Sequence, residues 1–289
     1  MVCSSPMPVP ALLLLLASGL MHAVWNLLIK KAPDPAAHFA GAMGAALILY
    51  TPLFLLLVAP GLTAPPAFVW VVAAVTGVTE GIYLILLTHT YRGADLSLVY
   101  PVSRGSAPLF IVAGGVALLG ERLSPLGYAG IGAVVLGIVV IAWPAAGARA
   151  TFRAVGLSVL TGAAIAAHHV GYKWLFRFWP PEAAIYIVWL FTFSTLGGYV
   201  LLSRRGAAAR YALRHLPSEV AVGALAMVGF LFALWALDMS LVSYVGAARN
   251  VGILFGVFFG ARLLGEGAMW QRLAGAAAIV AGVALMALA

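Results

Sequence analysis

Charge is what this sequence lacks most. Only 8% of its 289 residues are Asp, Glu, Lys or Arg, whereas 64% are hydrophobic and the mean hydropathy is +1.09. A soluble domain carries about a quarter of its residues as charged side chains, because it must cover its surface against water. The shortage argues against a water-soluble enzyme, a disordered chain and a disulfide-stapled secreted module. It predicts a protein whose solvent is lipid.

Cysteine is almost absent as well. Cys3 is the single cysteine, so neither an internal disulfide nor a cysteine-built metal site can form. The net charge of +8 comes from basic residues spread between apolar runs, which form no basic stripe, so we expect no nucleic-acid partner. The nucleotide-binding pattern Gly-x-x-x-x-Gly-Lys-Ser/Thr does not occur. We therefore expect no cofactor, no metal and no nucleotide-driven step.

Long apolar runs are what the sequence has instead. About 20 apolar helical residues cross a hydrocarbon core roughly 30 Å thick. Cutting the chain where charge, Pro or Gly interrupts these runs predicts an all-α integral membrane protein with ten transmembrane helices. We expect the first run to be retained rather than cleaved as a signal, because no basic residue precedes it. The spans are 9–29, 36–58, 66–89, 96–118, 125–143, 154–175, 183–202, 219–237, 241–263 and 270–288, and the longest connection is 203–218.

The two halves of the chain repeat each other. A shift of 145 residues aligns Arg104 with Arg249, and the run Leu-Leu-Gly-Glu at 118–121 recurs at 263–266. The predicted repeats are 9–143 and 154–288, with five helices each. Because five is odd, the second repeat enters the membrane from the opposite side. Inverted repeats of this kind are typical of secondary transporters.

The run from Arg104 to Trp143 resembles the EamA-type repeat of the drug/metabolite transporter superfamily. It contains Pro108-Leu109-Phe110, then Gly120-Glu121, then a closing helix rich in Gly and Ala, and the second half repeats the Gly-Glu element. The resemblance implies a ten-helix transporter of small metabolites with a cavity between its halves. The second half lacks the proline, since Gly252-Ile253 stands where the first half has Ala107-Pro108.

The basic residues predict an orientation in the cell (inner) membrane. Eleven lie on the side reached after odd-numbered helices and two, Arg122 and Arg177, on the other. The positive-inside rule then places both termini outside the cytoplasm. The family resemblance implies cytoplasmic termini, and we follow the charge count. The eleven are Lys30, Lys31, Arg92, Arg149, Arg153, Arg204, Arg205, Arg210, Arg214, Arg262 and Arg272.

Glu80 is the carboxylate that falls well inside a predicted span, where a charge costs about 2.5–3.5 kcal/mol on insertion scales. It is the candidate proton-coupling residue, or an anchor for a cationic group of a substrate. The alternative is a structural ion pair with Arg104 or Arg249. Each of these arginines is itself a candidate clamp for a carboxylate or phosphate, or else extends its long side chain to the interface.

The first helix of each repeat carries a polar stripe. His22, Asn26 and Lys30 follow at four-residue steps and share one helix face, and a shift of 143 sets His169 and Lys173 against the last two. These stripes are candidates for a cavity wall. Neighbouring side chains complete the candidate pathway, although aromatic residues at span ends also form interfacial belts. They are Trp25, Tyr83, Tyr100, His168, Tyr172, Trp235 and Asn250.

Two further features have structural interpretations. Glu121 lies in a short turn, where we expect it to bond exposed amides at the next helix start. Small-residue faces on the closing helices, at 129–137 and 274–282, allow close backbone approach inside the chain or in a homodimer.

The sequence therefore predicts a secondary transporter rather than an enzyme. It would move a small polar or amphipathic metabolite across a lipid bilayer by alternating access, with proton coupling left open. An integral-membrane lipid-modifying enzyme, using Glu80 and the histidines as acid and base, is the alternative.

Overall fold

The computed structural model describes residues 7–30, 32–93, 96–143, 152–204, 207–252 and 269–289. These ranges are helical and contain no β-strand. A π-helical turn, Phe54–Val58, and a 3-10 turn, Ala59–Gly61, follow the helix that ends at Leu53, and another 3-10 turn, Arg249–Val251, follows the helix that ends at Ala248. The helices are α1 (Val9–Lys30), α2 (Pro35–Leu53), α3 (Ala67–Gly93), α4 (Leu96–Leu119), α5 (Pro125–Ala142), α6 (Phe152–Leu175), α7 (Pro181–Arg204), α8 (Ala207–Met239), α9 (Val242–Ala248) and α10 (Met269–Leu288).

The expected all-α membrane class is confirmed. Four segments within the described ranges are long and apolar enough to cross a membrane. Helices also coincide with the other predicted spans, although 241–263 is described only as far as Gly252. The four segments are Pro35–Gly61, Ala67–Leu87, Pro181–Ser203 and Arg214–Met239.

The predicted connection at 203–218 is wrong in its extent. α7 continues to Arg204 and α8 begins at Ala207, so most of this segment is helical. Ala, Leu and Arg are all strong helix formers, and the helix therefore extends beyond the point where charge ends the apolar run. Charge marks the edge of the hydrocarbon, not the end of the helix.

Local sequence sets the starts of two helices. The Asp34 carboxylate accepts a hydrogen bond from the Ala37 amide at 3.3 Å, and Pro35 follows at the first helical position of α2. The Ser124 hydroxyl oxygen likewise accepts from the Gly127 amide at 3.0 Å at the start of α5. Both side chains satisfy amides that have no partner within the helix.

The helices pack side by side in a bundle. α8 packs against α1 and α2, α3 against α6 and α7, and α4 against α5 and α6. α5 packs along α10, where Gly130 faces the Gly282 carbonyl and Gly137 faces the Gly275 carbonyl without room for a side chain. The small-residue faces of the closing helices are thus used inside the chain.

The Gly-Glu element joins two distant parts of the bundle. Gly120 ends α4 with a φ of +69°, a conformation that favours glycine. Glu121 then places its buried carboxylate at the start of α9. Its Oε1 accepts from the Val242 amide at 2.6 Å, and its Oε2 accepts from the amide and hydroxyl of Ser243 at 3.2 and 2.6 Å. Glu121 therefore bonds helix-start amides as expected, but those of α9 instead of the adjacent α5.

We expect Glu121→Gln to destabilise the protein by about 1–3 kcal/mol, because the glutamine NH2 would replace one acceptor beside buried amide donors. The measurement is thermal or denaturant unfolding in detergent micelles. Arg122→Gln, at the exposed neighbouring position, serves as the control and should change stability by less than about 0.5 kcal/mol. Equal stability of the two variants would contradict this role for Glu121.

Candidate functional site

A cavity lies among α1, α2, α3, α6, α7 and α8. We call it the central cavity. Aromatic side chains form much of its wall, including Phe39, Trp189 and Phe230. Seven of the residues predicted from sequence also line it: His22, Trp25, Glu80, Tyr83, His168, His169 and Arg249.

Glu80 lies in the wall of this cavity and is only 5% exposed. The Tyr172 hydroxyl donates to Glu80 Oε2 at 2.9 Å, and the Thr192 hydroxyl lies 3.1 Å from the same oxygen. Glu80 is thus held by hydroxyl groups from α6 and α7.

Thr192 lets the site hold Glu80 in either protonation state. Besides the carboxylate, its hydroxyl lies 3.0 Å from the Val188 carbonyl and 3.2 Å from the Gly77 carbonyl. A hydroxyl has one proton and two lone pairs. When Glu80 is ionised, Thr192 can donate to it; when Glu80 is protonated, Thr192 can donate to a carbonyl and accept from the carboxylic acid.

Arg249 provides a cation in the same cavity. Its Nη1 lies 2.9 Å from His169 Nε2, and its guanidinium lies 5.1 Å from the centroid of the Phe230 ring. Because a guanidinium only donates, His169 Nε2 must accept. The His169 proton then belongs on Nδ1, which lies 2.8 Å from the Ile165 carbonyl. His169 in this arrangement is the neutral tautomer that orients Arg249.

Ring contacts connect the remaining cavity residues. His22 meets Trp25 edge-on at 4.6 Å between ring centroids, and Trp25 meets Phe39 at 5.2 Å. The ring centroids of Tyr83 and His168 are 5.5 Å apart. The cavity therefore joins an anionic group, a cation and an aromatic wall, which is the chemistry that an amphipathic molecule with polar and apolar parts requires.

Four predicted residues lie outside this lining. Tyr172 does not line the cavity, but its hydroxyl donates a hydrogen bond to Glu80. Lys173 donates to the Leu237 and Asp238 carbonyls at the end of α8, at 2.6 and 3.1 Å. The Trp235 indole donates to Glu182 at 3.2 Å, and the Asn250 amide donates to carbonyls of its own helical turn. The side chains of the other four predicted residues lie outside the described part of the structure. These residues are Asn26, Lys30, Tyr100 and Arg104.

Sequence reasoning missed several members of the site. Thr192 holds Glu80, and Ser18, Phe39, Trp189 and Phe230 line the cavity. A single hydroxyl or aromatic residue inside a long apolar run carries no distinctive signal. Ser18 could have been predicted from the sequence, because it lies one turn before His22 and extends the polar stripe of α1.

The described residues hold no group of three or more His, Cys, Asp or Glu side chains that fits a metal ion. Glu80, Arg249 and the histidines are the ionisable groups that line the central cavity. Hydrogen-bonded carboxylates inside membrane bundles mark substrate and proton pathways.

Comparison with solved structures finds a similar fold. One crystal structure, described only as that of a protein, has a TM-score of 0.68 to this chain and matches 96% of this chain and 96% of its own. The two sequences are 22% identical, so the likeness shows the fold alone. No family model matches the chain, and no curated protein matches it.

Proposed function

We propose that this chain is a secondary transporter that moves a small polar or amphipathic metabolite by alternating access. The observation that carries the proposal is the central cavity, where Glu80 and Arg249 share one space inside an apolar bundle. Ionisable groups within membrane helices are costly and are kept for substrate and ion pathways. A cavity lined by both charges and by Trp25, Trp189 and Phe230 suits a substrate that is part polar and part apolar.

Ten membrane spans in two inverted five-helix repeats of the EamA type are part of this proposal. The helix packing supports them, since replacing each helix by the one five places along maps the main helix contacts onto one another. The α1–α8 contact becomes α6–α3, and α2–α8 becomes α7–α3, and all four contacts are present. The α5–α10 and α2–α7 contacts map onto themselves. A molecule of this symmetry transports by rocking one repeat against the other.

Proton coupling through Glu80 is the second part of the proposal. Thr192 accommodates both protonation states of the carboxyl group, as its alternative carbonyl partners allow. A proton and a cationic substrate group would compete for the same carboxylate. That competition provides the differential binding by which a proton gradient shifts the population of states.

We expect Glu80→Gln to abolish accumulation driven by a pH gradient while substrate exchange continues. Exchange requires only that the loaded cavity reorient, whereas net pumping requires a proton to bind and leave. The measurement uses proteoliposomes and a panel of radiolabelled amino acids, organic anions and aromatic cations. Glu182→Gln, at the start of α7, is the matched carboxylate control.

Intact pH-driven accumulation in Glu80→Gln would remove Glu80 as the coupling group. Loss of both folding and exchange would mark it as structural. If no member of the panel is exchanged by the unmodified protein while it modifies lipid in detergent, the enzyme alternative would replace transport.

Orientation gives a separate prediction. The eleven-to-two distribution of basic residues supports an orientation with both termini outside the cytoplasm. A reporter enzyme that is active only outside the cytoplasm, fused after Ala289, should therefore be active, and a cytoplasm-only reporter at the same junction should be silent. The reverse pattern would contradict the charge count and favour the orientation that the family resemblance implies.

A further inference from the structure

A second pair of titratable side chains lies buried outside the central cavity. His38 on α2 and Glu219 on α8 are 2% and 1% exposed, and His38 Nδ1 lies 4.0 Å from Glu219 Oε1. Among the described residues, Glu219 Oε1 is buried without a hydrogen bond. A buried carboxylate oxygen without a hydrogen bond is costly in an apolar bundle and is able to accept a proton or a water molecule.

The neighbouring sequence makes room for this pair. Gly41, one turn from His38, lies against the Glu219 carboxylate so closely that any side chain there would collide with it. Gly223, one turn beyond Glu219, lies against the Ala42 carbonyl in the same manner. These two glycines allow α2 and α8 to approach closely around the carboxylate.

His38 connects the carboxylate to a pocket. Its Nδ1 is also 3.4 Å from the Tyr211 hydroxyl, and its Nε2 is 3.3 Å from the Ser218 hydroxyl. A pocket opens on the other side of these groups, at the end of the bundle where α1 ends and α2 begins, the side to which the sequence assigns most basic residues. It is lined by Leu28, Ala32, Pro33, His38, Tyr211, His215 and Ser218.

Within the described ranges, the charged and titratable groups around the pair come from two of the three helices that meet here. α8 contributes Tyr211 and His215, whose rings stack at 4.1 Å between centroids, and the start of α2 contributes Asp34. The His215 Nδ1 is 2.9 Å from the Tyr211 carbonyl, which leaves Nε2 of the ring as its other polar atom. The described side chains at the end of α1 that face the pocket are apolar.

An apolar layer separates the pair from the central cavity. Ala42 lies one turn along α2 from His38, and Val222 lies one turn along α8 from Glu219, each about 5 Å further into the bundle. Both are buried and cluster with Trp25 and Ile29 of α1. The pair thus faces the pocket on one side and, on the other, the apolar residues Ala42, Val222 and Trp25, which also line the central cavity.

We propose that Glu219 and His38 form a second proton-binding site, which exchanges protons with water at the basic end of the bundle through the pocket at Ser218 and Tyr211. The site is separate from Glu80. It would load protons at this end while the apolar layer keeps them from the central cavity. The inference deepens the proposed function, on which its role in transport rests.

The proton transfer balances as a relay through the imidazole. A proton from water reaches His38 Nε2 through the Ser218 hydroxyl, and the ring then releases the proton on Nδ1 to Glu219 Oε1. The carboxylate becomes a carboxylic acid and the ring ends as the neutral Nε2 tautomer. The 4.0 Å between the last two atoms exceeds a hydrogen bond, so the step takes a small side-chain rotation or a bridging water.

A titration that needs no substrate tests the site. Infrared difference spectra of the protein in lipid nanodiscs are recorded while the pH is stepped between about 4 and 9, a range that spans ordinary carboxyl and imidazole titrations. In a Glu80→Gln background, the buried carboxylic-acid band that titrates in this range should lose a component on Glu219→Gln and stay unchanged in Glu182→Gln. Persistence of the whole band in Glu219→Gln would overturn the proposal.

The relay is tested by a pH jump on the same samples. His38→Gln should slow the appearance of the carboxylic-acid band at least tenfold while its final amplitude is kept, because a general acid–base group contributes roughly 10²–10⁴ in rate. Ser218→Ala should slow it as well, and remains informative if His38→Gln does not fold. His89→Gln, an exposed histidine bonded to Tyr199, is the control. An unchanged rate in both test variants would overturn the relay.

Transport assays separate this inference from the proposed function. In proteoliposomes, Glu219→Gln should lose pH-driven accumulation of the exchanged compound at least tenfold and keep exchange. A chain that titrates as above but exchanges nothing would refute transport and leave the proton site standing. A chain that exchanges substrate without the Glu219 band would refute the site alone.

Discussion

The cost of placing a charge in an apolar bundle is the constraint on which the rest of this structure depends. Lipid supplies no hydrogen bonds, so each buried polar group must find its partner inside the protein. The Glu80 carboxylate accepts hydrogen bonds from the hydroxyls of Tyr172 and Thr192, and the Glu121 carboxylate accepts them from amides at the start of α9. Those bonds decide which helices can adjoin, because α6 and α7 must both reach Glu80 on α3.

The same constraint distributes polar contacts along the bundle. At one end, Arg177 donates to the Leu119 carbonyl, Lys173 to the end of α8, and Glu121 accepts from α9. These groups match the charge of each helix terminus that they meet. At the other end, the His38–Glu219 pair lies between α2 and α8. Rocking of two repeats would have to break contacts at one end while those at the other hold.

Hydropathy and the repeat made the helices and several cavity residues predictable. His22 and His169 were found because a helix in lipid seldom carries a polar stripe unless that face meets a cavity, and Glu80 because it is an isolated carboxylate. The cavity partners Thr192 and Phe230 could not be found, since their importance comes from helix pairing that no local pattern encodes. The start of α8 was predicted wrongly because hydropathy marks the lipid boundary, whereas helix propensity determines where the helix begins.

Alternating access is the central claim, and it requires that one position in the central cavity be reached by water from both sides of the membrane in turn. Ser18 lines the cavity, is 1% exposed and has a side chain close in size to cysteine. Replacing the single native cysteine, Cys3, by Ser and introducing Ser18→Cys gives one thiol in that cavity. In oriented proteoliposomes, a membrane-impermeant thiol reagent should label the thiol at position 18 when added to either side alone. Labelling from one side only, with the protein folded and the lipid intact, would contradict the account.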